Sequence, residues 1–330
     1  MPPDPRSVPI RPLLKWAGGK RQLLPVLRRY YPAGFDRYLE PFVGSGAVFF
    51  DLCDAGRLSS RGALLTDVNA DLIGCYRAVR DEANAVIEAL AGLDEEHRAR
   101  GVACYYDVRD RRFNPARAAL GDALAVRYTP ALAAMLIYLN RTGFNGLFRL
   151  NRRGEFNVPA GRYTDPRICD GPHVRAVART LGAPGVSIEH ARFDATLSVA
   201  HTGDFVYCDP PYAPISRTSS FAHYTAGGFT ADDHRELQKA AVAAARRGAV
   251  VLLSNSSAPE IERAYGDEEA RRSGFTVRRV AARRAINSQA MRRGPVDELI
   301  VTNAIAARGR LRMAKSTLRA ERAGRRSRLR

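Results

Sequence analysis

Short apolar runs alternate with amphipathic stretches over most of this chain, and the alternation predicts its elements. Arg37-Tyr38-Leu39-Glu40 reads as a first strand, followed by a glycine-bearing turn and an apolar helix over 47–53. A second strand is predicted at 62–66, and others at 186–189, 205–208, 249–253, 275–281 and 298–302. Thr230 and Asp233 start a helix in the manner of a capping box, and Gly248 stops it. Leu23, Leu24, Leu27 and Tyr30 line one side of a predicted helix over 21–30. Strands alternating with helices predict a mostly parallel α/β sheet.

Between the second and third strands the pattern changes. Leu72, Tyr76, Val79, Ala83, Val86 and Leu90 recur at helical spacing, predicting one helix over 69–93. Further helices are expected over 95–111 and 130–140, the latter too apolar to be exposed. This region reads as a helical insertion in the sheet. Over 140–163, arginines, asparagines, aromatics and glycines interleave with no period, and Phe156 and Val158 suggest a short hairpin arm. A solvated hairpin accounts for the glycines and charges, but not for exposed Phe144, Leu147 and Phe148. Nucleic acid accounts for both: Arg pairs with guanine edges, Asn with adenine edges, and exposed aromatics stack on or wedge between bases.

Charge supports that reading. The chain of 330 residues carries a formal +18. The tail 308–330 has ten basic residues and one acid, Glu321, and the remainder is also positive. Such a balance favours a polyanion, and the tail reads either as a solvated disordered extension or as a phosphate-binding arm. The loop 213–229, rich in small polar residues, reads as a lid, and the basic loop 283–293 as another phosphate contact. Hydrophobic residues make up 45%, ordinary for a globular protein, with no apolar run of membrane-spanning length. The Pro-rich start lacks the apolar core of a signal peptide, so a cytoplasmic location is expected. Five cysteines without CxxC spacing give neither a disulfide framework nor a zinc site, and no metal is expected.

Three loops would carry the chemistry. Gly44 and Gly46 follow the first strand and open a helix, an arrangement that lets a nucleotide touch the backbone. Asp67 ends the second strand 21 residues after Gly46, where an acid binds ribose hydroxyls or, alternatively, caps the next helix. Asp209-Pro210-Pro211-Tyr212 follows a buried strand. Its carboxylate and a proline carbonyl can accept hydrogens from an amine, its tyrosine can stack on the ring, and two prolines stiffen the backbone. Lys15-Trp16-Ala17-Gly18-Gly19-Lys20 permits close backbone approach but is not a Walker loop, because the spacing is wrong and no Ser or Thr follows.

Taken in order, Lys15 to Lys20, Glu40-Pro41-Phe42-Val43-Gly44-Ser45-Gly46, Asp67-Val68-Asn69, the 143–163 stretch and Asp209 to Tyr212 resemble the Dam-type DNA adenine methyltransferases, of the D12 class in the alpha group. The resemblance extends to about Asn303. It implies a Rossmann-like, S-adenosylmethionine-dependent methyltransferase sheet with an inserted, mostly helical target-recognition domain containing a β-hairpin. The expected catalytic domain is 1–69 with 170–307, the recognition insertion 70–169, and the tail 308–330. Trp16, Lys20, Glu40, Phe42, Gly44, Gly46, Asp67 and Asp209 are implied at the donor site, Lys20 toward the donor's carboxylate and Asp67 toward its ribose. Asp194 is implied at the donor's adenine, or is an ordinary turn acid. Double-stranded DNA is the implied partner of a monomer, with the adenine flipped out onto Tyr212 and the recognition site GATC. Lys15, Arg141, Phe144, Asn145, Leu147, Arg149, Pro159 and Tyr163 are the implied DNA contacts. Phe144 stands where relatives often have Tyr, which keeps stacking and loses a hydroxyl. The alternatives are a restriction–modification enzyme with another adenine site and an inactive DNA-binding relative. An amino-cytosine enzyme more often has Ser where Asp209 stands, and an RNA adenine enzyme would not need a hairpin that reads guanine and thymine.

Overall fold

The computed structural model of the protein describes residues 10–16, 18–58, 61–214, 228–282 and 296–304. The basic loop 283–293, the tail 308–330 and all but the ends of the loop 213–229 lie outside them. Seven strands are present among the described residues: β1 Arg37–Glu40, β2 Gly62–Asp67, β3 Val186–His190, β4 Asp204–Cys208, β5 Val250–Ser256, β6 Thr276–Ala282 and β7 Val296–Thr302. They form one sheet in the order β3-β2-β1-β4-β5-β7-β6, with only β7 antiparallel to its neighbours. The strand order reverses direction between β1 and β4, the kind of switch point where open α/β sheets bind ligands at the carboxyl edge.

The two-residue period of the strands sorts the core. Tyr38, Phe205, Tyr207, Leu252 and Ile300 enter the cluster on one face. Leu39, Val206, Cys208, Val251, Leu253, Leu299 and Val301 enter the cluster on the other. Every residue of β4 is buried, as befits a strand covered on both sides.

The helices depart from expectation in where they stop and in number, since those over Asn114–Leu120, Gly171–Leu181, Phe193–Ser198, Pro259–Tyr265 and Glu268–Arg272 are not among the predicted ones. After a single 3-10 turn at Lys20–Gln22, α1 spans only Leu24–Leu27, with Pro25 in its first turn, although Leu23, Leu27 and Tyr30 are buried as expected. Helix α2 is Ala47–Asp54. The predicted helix over 69–93 is two helices, α3 Ala70–Asp81 and α4 Ala83–Arg100, separated where Glu82 leaves helical geometry. The break lets α3 stay on β2 and β3 while α4 turns to another partner. Gly101, at φ 55 and ψ −132, ends α4 and breaks the helix expected over 95–111. Helix α5, Val102–Asp107, a π turn at Val108–Phe113 and α6, Asn114–Leu120, follow. Helix α7, Pro130–Thr142, packs on α3 and α4, and α8 is Gly171–Leu181. This helical region shares one contiguous core with the first face of the sheet. Helices α9 Phe193–Ser198, α10 Ala231–Arg246, α11 Pro259–Tyr265 and α12 Glu268–Arg272 supply core residues on the second face. The capping box of Thr230 and Asp233 is present at the start of α10.

The hairpin expected over 140–163 exists only as two isolated bridges, Gly143 with Ala160 and Leu150 with Phe156. Its two limbs are joined by backbone hydrogen bonds from Phe144 to Pro159, Gly161 to Thr142, Asn151 to Glu155 and Asn157 to Arg149, and side chains hold it from behind. Asn114 accepts from Phe156 N–H and donates to its carbonyl, while Tyr105 and Arg109 both donate to the Val158 carbonyl. Phe148, expected to be exposed, is buried against Trp16, and Phe156 and Val158 are buried too.

Candidate active site

The carboxyl edge of the parallel strands gathers the chemistry. Glu40 ends β1, Asp67 ends β2 and Asp209 follows β4. Because β7 runs antiparallel, its Glu298 pairs with Ser256 and reaches the same edge. There it accepts a 2.7 Å hydrogen bond from the Tyr212 hydroxyl.

Asp209 lies under a cation. Lys20, only 6% exposed, places Nζ 2.8 Å from Asp209 Oδ1. The same Nζ donates to the Gly18 carbonyl at 2.5 Å and lies 4.6 Å from the centre of the Tyr212 ring. Burial pushes the Asp209 carboxyl up from its ordinary value, while Lys20 and a hydrogen bond from Ser254 pull it back. Beyond Tyr212, the chain is pinned to β5: Asn255 accepts from Ala213 N–H and Ser256 donates to the Ala213 carbonyl.

Beside it lies the glycine loop. Gly44 adopts φ +46, and a Cβ there would stand 3.0 Å from the Trp16 ring. Gly46, at φ +66, opens α2. Asp67 receives Gly44 N–H on one oxygen at 3.1 Å and Asn69 N–H on the other at 2.9 Å. Burial raises its carboxyl while those backbone donors lower it. The cap of α3 is Asn69, whose side chain accepts from Leu72 N–H, so Asp67 is not the helix cap. Glu40 is buried between these acids, and burial, Asp209 and Asp67 hold its carboxyl well above the usual range. Phe42 stacks on Phe193 at 5.5 Å.

A family model described as the D12 class N6 adenine-specific DNA methyltransferase matches residues 16–286. The chain belongs to that family. Among its relatives, the type II methyltransferase M1.LlaDCHI of Lactococcus lactis subsp. cremoris is 35% identical over 297 residues, covering 90% of this chain and 96% of its own. The type II methyltransferase M.MjaIII of Methanocaldococcus jannaschii is 36% identical over 307 residues, covering 89% and 99%. The DNA adenine methylase of Escherichia coli K12 is 34% identical over 292 residues, covering 88% and 94%.

This methyltransferase therefore acts on adenine in DNA and takes its methyl group from S-adenosylmethionine. The edge fits such a donor: a glycine loop with no room for a Cβ beneath Trp16, a strand-end acid with backbone-fixed oxygens, and a buried cation. No helix among the described residues is long and apolar enough to cross a membrane.

The residues proposed for DNA contact occupy the irregular arm. Phe144 is 48% exposed, and Asn145, at φ 55, Arg149, Pro159 and Tyr163 are also exposed, with Leu147 half-buried. Arg149 is oriented by Asn157, to which it donates at 2.8 Å. Lys15 lies 4.9 Å from the centre of the Tyr163 ring, so these two distant positions form one patch. Two further expected site residues are engaged by groups of the protein itself. Arg141 is turned inward, donating to the carbonyls of Arg167 and Ile168. Asp194 is a surface residue at the start of α9, paired with Arg192 at 2.9 Å.

Three positioning residues escaped the sequence reading. Buried Asn140 accepts from Lys15 N–H and donates to the Lys15 and Gly146 carbonyls, tying the Lys15–Lys20 segment to the arm. Ser254 and Glu298 depend on strand register, which no single segment encodes. The one available signal was Ser254 at the end of an apolar run, since the pairing of Cys208 with Leu253 places it next to Asp209.

Proposed function

We propose that this enzyme methylates the exocyclic amine of an adenine flipped out of duplex DNA, within GATC. The observation that carries the reading is Asp209. One of its oxygens is held by Lys20 and Ser254, and no hydrogen bond among the described residues falls on the other, Oδ2. An adenine amine is a weak nucleophile because its lone pair is delocalised into the ring. Asp209 Oδ2 and the Pro210 carbonyl accept its two hydrogens and localise that pair, while Pro211 keeps the turn stiff. Tyr212, anchored by Glu298, stacks on the ring. Bound S-adenosylmethionine supplies an electrophilic methyl group on a sulfonium. Asp67 takes the donor's ribose hydroxyls, Lys20 its carboxylate, and Trp16, Glu40, Phe42, Gly44 and Gly46 shape the pocket, with Asp194 near its adenine. The residues contribute positioning and electrostatics rather than a covalent intermediate.

An amine inside a duplex is out of reach, so the base leaves the stack at a cost of a few kcal/mol. Exposed Phe144 fills the gap it leaves. Arg149, with Lys15, Asn145, Leu147, Pro159 and Tyr163, reads the neighbouring base pairs. Arg141 ties the base of the arm to the segment before α8 through the carbonyls of Arg167 and Ile168. The recognition insertion is 70–169, set into a catalytic domain of 1–69 and 170–307. A different adenine site is the second reading, favoured by the restriction-type names of two relatives. Labelled methyl transfer to duplexes carrying GATC and its single-base variants separates the two. We expect transfer to GATC alone; equal transfer to the variants refutes GATC.

A further inference from the structure

We propose that Ser254, backed by Tyr207, is the positioning residue that aims Asp209 at the target amine. The inference rests on reading Asp209 as the acceptor and adds which groups make it one. Ser254 is fully buried on β5 and donates to Asp209 Oδ1 at 2.9 Å. A hydroxyl has a single hydrogen, so in the 2.9 Å pair between the Tyr207 hydroxyl and Ser254 Oγ, Tyr207 is the donor. Tyr207 projects from β4 two residues before Asp209, and its neighbour strand supplies Ser254. The relay therefore runs from β4 to β5 and back to the loop after β4. Lys20 occupies the same Oδ1 at 2.8 Å.

Two consequences follow from this geometry. With Oδ1 taken by Ser254 and Lys20, the carboxylate cannot rotate without breaking both bonds, so Oδ2 is the oxygen presented to the amine. The Ser254 hydroxyl also opposes the effect of burial and favours the ionised form of Asp209. Tyr207 fixes the serine rotamer that makes both possible.

The test is single-turnover methyl transfer by the full chain, measured against pH for wild type, Ser254→Ala, Tyr207→Phe and the double variant, with donor and DNA affinities measured alongside. Ser254→Ala should slow transfer about ten- to a hundredfold, the worth of one hydrogen bond to a charged group. Both affinities should stay unchanged. A protonated Asp209 accepts no hydrogen from the amine at that oxygen, so transfer is lost as pH falls through its pKa. Loss of the Ser254 bond should move that acid limb upward. Tyr207→Phe should have a smaller effect of the same kind, and none in the Ser254→Ala background, because its influence passes through the serine. An unshifted acid limb in Ser254→Ala overturns the proposal, as does an equal Tyr207→Phe effect in both backgrounds. Tyr207→Phe removes one oxygen and keeps the ring, so the pH test stands even where Ser254→Ala fails to fold. Asp209→Asn separates the layers: full transfer by that variant refutes the role of Asp209 itself, whatever Ser254→Ala does.

Discussion

Lys20 touches more of the active site than any sequence motif would suggest. Its ammonium meets the carboxylate of Asp209, the ring of Tyr212 and the carbonyl of Gly18, so the Lys15–Lys20 and Asp209–Tyr212 segments share one cation. Asp209→Ala removes the acceptor and leaves that cation in place. Transfer should fall by at least about a thousandfold, in keeping with the loss of a directed electrostatic contact in a dry site. DNA binding, measured by titration of a labelled duplex, should persist; loss of both would mean that Asp209 holds the fold. At this scale the sequence was legible wherever chemistry is packed into consecutive residues. Asp209 to Tyr212, and Gly44 with Asp67, could be singled out because no core needs such residues at a strand end. Ser254 and Glu298 could not, since ordinary strand residues become active-site residues only through pairing between strands.

Among the elements, pattern reading found all seven strands and the segments that form α1 to α5, α7 and α10, but it missed α6, α8, α9, α11 and α12 and the breaks. Glu82 carries no breaker signal, and α4 turns there because its apolar face finds α7. Gly101 was a visible signal that the reading passed over. The arm after α7 was the least legible element, since its sparse cross-limb bonds are supplemented by contacts with α5 and α6 that no local pattern encodes. One of those contacts is a buried ion pair. Arg117 on α6 grips Asp71 on α3 at 2.6 and 2.7 Å and donates to the Gly154 carbonyl, while Tyr128 donates to the same Asp71. The two side chains are 8% and 3% exposed. Arg117→Ala would leave Asp71 charged and buried, and should cost about 3–5 kcal/mol of stability in chemical denaturation. Asp71→Asn with Arg117→Met should recover part of that loss, because neither partner is then a lone buried charge.

For the whole molecule, charge and shape address different parts of the task. The sheet has its carboxyl edge at the switch point between β1 and β4, and the chain as a whole carries an excess of +18. Ten of the basic residues fall in 308–330, beyond the residues that the family model covers. Deleting 308–330 should weaken binding alike for GATC and unrelated duplexes and flatten the slope of log affinity against log salt. A selective loss of GATC preference would show that the tail takes part in reading. The arm is tied to the amino-terminal segment by the clasp where Asn140 joins the main chain of Lys15 to that of Gly146. At Gly146, where φ is +63, a Cβ would stand 2.6 Å from the Lys15 side chain, so this position cannot take a side chain without displacing the amino-terminal segment. The clasp has a consequence for exchanging the arm between such enzymes: its bonds fall on main-chain atoms of Lys15, so a transplanted arm should seat on a foreign amino-terminal segment as long as it brings Asn140 and keeps position 146 free of a side chain.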